Sequence, residues 1–158
     1  MGDVEEPWSG RLLSVYPSLR RFAAVVGSAD MCPDDLVHDA IVSALRNGGL
    51  ARAEDVEAYL RRAIVNGASN ERRRLGRFRS ALARERTATT GEAWDAYPSD
   101  LAHLADLPAV SRAVLFLHYV EGRTFEEIAD VMGKRPDAVR QAAHRARRQL
   151  RLDAGGVR

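Results

Sequence analysis

Residues 124–151, TFEEIADVMGKRPDAVRQAAHRARRQLR, contain two amphipathic helical patterns separated by one glycine. Thr124 and Glu127 have the spacing of a capping box, in which the Thr side chain caps the Glu amide and the Glu side chain reaches back. Gly133 permits a tight turn, while the small Ala129 and the apolar Val139 suit two helices that cross closely. We therefore predict a helix-turn-helix over this stretch.

The second helix of such a unit enters the major groove of DNA, with its first residues reaching the base edges. Arginine pairs with guanine and glutamine with adenine, so the outward side chains here have suitable chemistry. An ordinary helical hairpin with a solvated arginine face is the alternative. The capping box, the turn glycine and the arginine run together favour DNA binding. The expected DNA-binding residues are Lys134, Arg135, Arg140, Gln141, His144, Arg145 and Arg148.

Two features of the sequence precede this unit on its N-terminal side, a third helical pattern and a loop-like segment. Pro108 begins another helical pattern, which Gly122 ends. Before it, residues 87–106 have no sustained helical period and contain Gly91, Pro98 and several Thr and Ser residues, which are typical of a loop. We interpret this segment as a flexible linker. It divides the chain into an N-terminal unit, residues 8–86, and a C-terminal unit, residues 107–152.

The N-terminal unit also has helical periodicity. One helix is expected from Arg11 to Val26, with Pro17 indicating a kink or two shorter helices. A second should run from Pro33 to about Arg46, and a third from about Asp55 to Arg74. The expected buried stripe of the second helix is Leu36, Val37, Ala40, Ile41, Ala44 and Leu45. The chain is therefore predicted to be all-α, with two small helical domains and no strands.

Charge is segregated along the 158 residues, although the net charge is only +2. Residues 61–86 carry a net +7 and residues 140–158 a net +5, whereas residues 1–60 carry −5 and residues 87–111 carry −4. Two basic blocks separated by an acidic linker suggest two contacts with a polyanion. In the first block, Arg62, Asn66, Asn70 and Arg73 share one helical face and are candidate nucleic-acid ligands. Charge alone does not distinguish this role from that of a solvated face.

The second helix has an acidic outer face, formed by Asp35, His38, Asp39 and Val42. It suits protein docking, a metal site or exposure to solvent. A metal site would need Cys32 and His38, but their spacing lacks the second Cys or His pair typical of zinc sites, so no metal or other cofactor is expected.

The remaining features exclude several classes of protein. The sequence has no phosphate-binding glycine loop, nucleophile elbow or paired-His motif, so an enzyme is not predicted. With one cysteine, no signal-peptide pattern and no apolar run of about 20 residues, the chain is expected to be cytoplasmic without membrane insertion.

Three segments together resemble the bacterial sigma factors of RNA polymerase, in the extracytoplasmic-function (ECF) group. Residues 34–46, DDLVHDAIVSALR, are similar to the polymerase-clamp helix of sigma domain 2. Residues 57–74, beginning EAYLRRAIVN, are similar to the promoter-melting helix, and their sequence most resembles that of actinobacterial members. Residues 107–151 are similar to sigma domain 4.

The resemblance implies a function that composition does not reveal. Such a protein binds core RNA polymerase, directs it to promoter DNA and helps to open the duplex. The acidic outer face at residues 35–42 would contact polymerase, and residues 47–54 would receive a flipped base of the minus-ten element. The third helix would hold the melting strand, and the last helix would read the minus-thirty-five element. An anti-sigma factor would be a further partner.

Two other functions are compatible with the sequence. A stand-alone, dimeric helix-turn-helix regulator would explain residues 107–152 equally well, but would leave the acidic face and the first basic block without a role. A sigma-like protein that docks on polymerase without melting promoters is the other alternative.

Overall fold

A computed structural model of the chain describes residues 8–82 and 104–155, with side chains over residues 8–77 and 104–151. Every regular element in these two ranges is helical, as the sequence predicted. Most of the expected linker lies outside the described residues. The α-helices are α1 (Ser9–Val26), α2 (Pro33–Arg46), α3 (Gly49–Arg52), α4 (Val56–Leu82), α5 (Ala109–Leu115), α6 (Phe125–Met132) and α7 (Pro136–Gly155).

Helix α1 is one continuous helix, so the alternative of two shorter helices is wrong. Pro17 lies inside it and cannot donate a hydrogen bond to the carbonyl of Leu13, one turn earlier. The Leu13 side chain is 77% exposed, so this part of the helix faces solvent. Water can therefore hydrogen-bond the carbonyl that Pro17 leaves unpaired, and the helix continues.

Helix α2 has the predicted bounds. Pro33 occupies its first turn, where a missing N–H costs nothing, and the acidic Asp34 and Asp35 lie at the positive end of the helix dipole. Most of its expected stripe is buried, but Leu45 is 46% exposed. The apolar stripe in the sequence is thus wider than the surface that α1 and α4 cover.

Helix α4 is longer than predicted, since it continues to Leu82 rather than ending near Arg74. Its buried residues include Leu60, Ile64 and Ala68, as expected. Gly67, expected on the inner face, is exposed instead.

The C-terminal unit follows the predicted pattern closely. Helix α5 continues into a π-helical turn, Phe116–Val120, before Gly122 reverses the chain with φ +68°. The capping box is present: the Glu127 amide donates to Thr124 Oγ1 at 3.2 Å, and the Thr124 amide donates to a Glu127 carboxylate oxygen at 2.8 Å. The hydrogen bond from the Thr124 amide to this carboxylate is the main reason that the pKa of Glu127 lies below its ordinary value. Gly133 ends α6 with φ +61°, as the turn requires.

The two units pack against each other and share one hydrophobic core, which the sequence did not predict. Helix α5 contacts α1 and α4, and α6 contacts α4. The Phe22 and Phe116 rings meet edge to face, with centroids 5.8 Å apart. Two arginines, Arg61 and Arg112, are almost completely buried near this contact.

Gly76 and Gly133 provide a matched test of whether the turn at position 133 requires a glycine. Gly133→Ala should destabilise the fold by about 1–2 kcal/mol, because a residue with a Cβ is strained at positive φ. Gly76 lies in α4 with open space around it, so Gly76→Ala should instead stabilise by about 0.4–1 kcal/mol. Urea denaturation of both variants measures the difference. Equal effects would contradict the strained turn.

Candidate nucleic-acid interface

The helix-turn-helix consists of α6, the turn at Gly133, and α7. The Lys134 amide donates to the Ala129 carbonyl at 2.9 Å, which closes the C-terminus of α6. Ala129 and Val139 are both buried between the two helices, as their small and apolar side chains allow. The crossing of the helices therefore fixes which face of α7 is turned outward.

That outward face carries all seven predicted residues of this unit. Lys134 and Arg135 lie in the turn, and the others lie on α7; every one is exposed. Gln141, His144, Arg145 and Arg148 follow at spacings of three, one and three residues, so they lie on one side of the helix. The structure thus places them together on a basic, accessible surface.

Arg140 differs from its neighbours because it is already paired. It donates to Asp137 Oδ1 at 2.9 Å, one turn earlier on α7, and to Glu126 Oε1 of α6. Both pairs are exposed, so solvent screens them and each contributes little to stability. Arg140 must leave these carboxylates before it can contact a base.

A second polar surface lines a groove of about 870 Å³ between α2 and α4. Arg62, Asn66 and Asn70 of α4 line it, and all three are exposed. Arg73 is exposed too, but is not among the groove-lining residues. Amide and guanidinium groups that project into one groove can hydrogen-bond phosphates or base edges.

The basic segment after this face is not wholly available to phosphate. In this segment, residues 72–79, the guanidinium of Arg72 donates to the Leu107 carbonyl at 2.6 Å and to the Asp106 carbonyl at 3.2 Å. Arg72 therefore joins the two units. Part of the segment, including the Arg79 side chain, lies outside the described residues.

The acidic outer face of α2 borders the same groove. Asp35, His38, Asp39 and Val42 are all exposed, and Asp35 and Asp39 line the groove opposite Asn66 and Asn70. Leu45, one turn after Val42, is a second exposed apolar side chain on this face, whereas the sequence predicted it to be buried. Leu45 follows Val42 by three residues, so the two lie on the same side of the helix; this spacing was the sequence signal that Leu45 is exposed. The face is therefore mixed, acidic at one end and apolar at the other, which suits a protein partner.

The start of α2 is held in place by α1. Asp34 accepts hydrogen bonds from Arg20 at 3.0 and 3.2 Å and from the Tyr16 hydroxyl at 3.0 Å. The Arg20 hydrogen bond is the main reason that the pKa of Asp34 lies below its ordinary value. His38 Nε2 lies 3.2 Å from the same hydroxyl. These contacts set the orientation of the acidic face relative to the groove.

Metal binding has no support in the described part of the chain. Within residues 8–77 and 104–151, no group of three or more His, Cys, Asp and Glu side chains is arranged to hold an ion. Cys32 is a partly buried free thiol beside the groove. Among the described helices, none is long and apolar enough to cross a bilayer.

The surface with the clearest DNA-binding geometry also has a counterpart among known domains. Residues 102–150 match the family model described as Sigma-70, region 4. The matched range contains α5, the π-helical turn, α6 and most of α7, and so includes the whole turn at Gly133. No curated protein matches the chain.

A solved structure resembles almost the entire chain. It is the sigma factor RpoE in a co-crystal with the anti-sigma factor NepR from Bartonella quintana, with a TM-score of 0.69 and 22% sequence identity. The likeness covers 97% of this chain and 99% of that chain. At this identity it shows that the two proteins share a fold.

The surface of α7 generates a prediction that separates base contacts from phosphate contacts. Arg145→Ala should weaken binding to a specific duplex by about 1–3 kcal/mol and relax specificity at one base pair. Lys134→Ala should weaken binding to all sequences alike and lower the slope of log K against log salt by about 0.9. Fluorescence anisotropy titrations on selected and random duplexes, at several salt concentrations, measure both effects. Unchanged selectivity in Arg145→Ala would contradict the assignment of α7 as the reading helix.

Proposed function

We propose that this protein is an ECF-type sigma factor, which binds core RNA polymerase and directs it to promoters for transcription initiation. The match of residues 102–150 to Sigma-70, region 4 is the observation that carries the proposal, because it falls on a helix-turn-helix whose outer face is basic and exposed. The fold shared with a sigma factor over nearly the whole chain supports the same function for the remaining helices. A sigma factor is not an enzyme.

In this function α7 reads the upstream, minus-thirty-five element. Arg145 and Gln141 have the side chains that hydrogen-bond guanine and adenine edges in the major groove. Lys134, Arg135 and Arg148 flank them and bind phosphates, which fixes the register of the helix on the duplex. Arg140 and His144 complete this contact surface.

The downstream, minus-ten element is bound by α4 and the loop before it. Arg62, Asn66, Asn70 and Arg73 hold the melting strand, and residues 47–54 receive an unpaired base. A cavity of about 490 Å³ beside that loop, lined in part by Arg52, Tyr59 and Arg62, supports this assignment. Extrusion of a base costs a few kcal/mol, and an aromatic ring and a guanidinium in one cavity can offset that cost by stacking.

Polymerase docks on the acidic face of α2. Asp35, His38 and Asp39 supply the polar contacts, and Val42 and Leu45 supply exposed apolar area. Because Asp35 and Asp39 share a groove with the nucleic-acid face of α4, the bound polymerase lies directly beside the melted strand.

The proposal also includes the domain boundaries, the cellular location and a further partner. Residues 8–86 form sigma domain 2, residues 87–106 form the linker and residues 107–152 form sigma domain 4. The protein acts in the cytoplasm, where its polymerase is, and an anti-sigma factor is a further partner by analogy with the solved relative. The arginine-rich composition and the sequence of residues 57–66 support an actinobacterial origin.

Docking and transcription can be tested together. Replacing both Asp35 and Asp39 by Arg should abolish co-purification with core RNA polymerase, because it reverses the charge of the acidic face without altering buried residues. Arg145→Ala is the matched control: it should retain core binding but lose run-off transcription from a promoter that depends on the minus-thirty-five element. Far-ultraviolet circular dichroism checks that both variants stay helical.

Undiminished core binding by the Asp35→Arg, Asp39→Arg variant would contradict the docking role. If the wild-type chain fails to bind core polymerase and instead forms a two-fold complex on a palindromic duplex, the protein is a stand-alone dimeric regulator. Size-exclusion chromatography with light scattering distinguishes these stoichiometries.

A further inference from the structure

The hydroxyl of Tyr16 lies in a chain of hydrogen bonds that runs from α1 to the acidic face of α2. Arg20 donates from Nε to both carboxylate oxygens of Asp34, at 3.0 and 3.2 Å. The Tyr16 hydroxyl donates to Oδ1 of the same carboxylate at 3.0 Å, and it lies 3.2 Å from Nε2 of His38. Side chains from both helices are therefore linked in the order Arg20, Asp34, Tyr16, His38.

The protons available in this chain fix the direction of its last bond. The hydrogen bond from Arg20 holds the pKa of Asp34 below its ordinary value, so the carboxylate is ionised and can only accept. Burial and the bond to Asp34 raise the pKa of Tyr16, so the phenol keeps its single proton. Because that proton is directed at Asp34, the hydroxyl can only accept from His38. Nε2 of His38 must therefore carry a hydrogen.

The hydrogen on Nε2 leaves the other ring nitrogen of His38 as an acceptor. In a neutral imidazole one nitrogen donates and the other accepts, so the bond made by one determines the role of the other. Among the described residues, none donates a hydrogen bond to Nδ1 of His38. The side chain is exposed, so a partner protein can reach the ring. Nδ1 is thus a hydrogen-bond acceptor that the fold itself does not use.

His38 lies where the outer face of α2 changes from acidic to apolar. Asp35 and Asp39 stand three residues before it and one residue after it, and Val42 follows one turn later. The charge of the carboxylates attracts a cation from many directions, whereas a ring nitrogen accepts a hydrogen bond only along its lone pair. Nδ1 can therefore fix the position of a cationic group on a partner, which charge alone does not.

We propose that Tyr16 is a positioning residue for polymerase docking, which holds the His38 ring so that Nδ1 accepts a hydrogen bond from a cationic N–H group of polymerase. The identity of the partner rests on the proposed function, although the hydrogen-bond chain does not. Tyr16 belongs to α1 and acts through His38. Without the hydroxyl, the ring can rotate or move its hydrogen to Nδ1. Either change puts a C–H or an N–H group where the acceptor is needed.

The position of the hydrogen can be measured on the free, full-length chain. Two-bond proton–nitrogen NMR correlations distinguish the two neutral tautomers and the doubly protonated ring, and His38→Asn identifies the signal among the four histidines. At about pH 8, above the ordinary histidine pKa of about 6.5, wild-type His38 should carry its hydrogen on Nε2 alone. Tyr16→Phe keeps the aromatic ring and removes the hydroxyl, so the Nδ1–H form should become detectable. A wild-type His38 with its hydrogen on Nδ1 would overturn the proposal.

Affinity for core RNA polymerase tests the role of Tyr16 in docking. Loss of one hydrogen bond typically changes an equilibrium constant about two- to tenfold, so Tyr16→Phe should weaken core binding by that factor. Ser14→Ala is the matched control, since it also removes one hydroxyl from α1, and that hydroxyl donates to the Arg11 carbonyl of the same helix at 2.7 Å. The control should bind core polymerase as tightly as the wild type. Biolayer interferometry on immobilised core enzyme measures both affinities.

A second background separates positioning of His38 from a general effect on α2. His38→Asn keeps an amide oxygen close to the place of Nδ1 but has no atom in place of Nε2, so it cannot contact Tyr16. Adding Tyr16→Phe to His38→Asn should therefore change core affinity by less than about twofold, because the two residues are no longer coupled. If Tyr16 served only to hold Asp34 and the start of α2, the loss would be equal in both backgrounds. That result would overturn the proposal.

Failure of the proposed function gives a different pattern of results. If the wild-type chain does not bind core polymerase, docking on α2 is wrong and the positioning role is wrong with it. If the wild type binds core polymerase and Tyr16→Phe binds as tightly as Ser14→Ala, only the positioning role is wrong. Circular dichroism shows whether each variant is folded. If Tyr16→Phe does not fold, the tautomer of His38 in the wild-type chain still decides whether Nδ1 is an acceptor.

Discussion

A buried guanidinium must have its charge and its N–H groups satisfied, and this requirement fixes how the helices of this protein are arranged. Arg61 meets it with carboxylates from α4 and from the turn after the π-helix, and Arg112 with carbonyl oxygens from α1 and from Leu107 at the start of its own unit. Removal of one partner from a buried pair typically costs about 3–5 kcal/mol, so the units cannot slide past each other without a large penalty. Burial lowers the pKa of Arg61, but Glu121 and Glu57 more than offset this, so its pKa lies above the ordinary value.

The same arginine-rich composition thus has two opposite uses. On α7, Arg145 and Arg148 are exposed and available to phosphates and bases, whereas Arg140 is paired with Asp137 and Glu126. At positions 61, 72 and 112 they hydrogen-bond carboxylates or carbonyls and hold the fold together. The planar guanidinium suits both uses because its five N–H groups can contact several acceptors at once. The basic block at residues 61–86 is therefore less available to a polyanion than its net charge of +7 suggests.

The groove between α2 and α4 brings the two proposed activities of the N-terminal unit together. One wall carries the carboxylates of Asp35 and Asp39, and the other carries the amides of Asn66 and Asn70. In the proposed function, the acidic wall would face polymerase and the amide wall would face the nucleic-acid strand, so the two partners would lie side by side. The tether from α1 to Asp34 holds the α2 wall of this groove in place from within the N-terminal unit.

Local signals in the sequence determined the helices and the helix-turn-helix. The Thr124–Glu127 capping box, the turn at Gly133 and Pro33 at the start of α2 act within a few residues, so they could be read directly and are confirmed. Periodicity also predicted which side chains of α7 point outward. The roles of these surface residues in binding stay predictions. Only the tertiary structure decided that Arg61 and Arg112 are buried, that Leu45 is exposed and that Gly133 lies against Arg62. Helical periodicity defines a face but not the element that packs on it. The partners of Arg61 and Arg112 lie as many as 60 and 86 residues away in the chain, and only the folded structure brings them together.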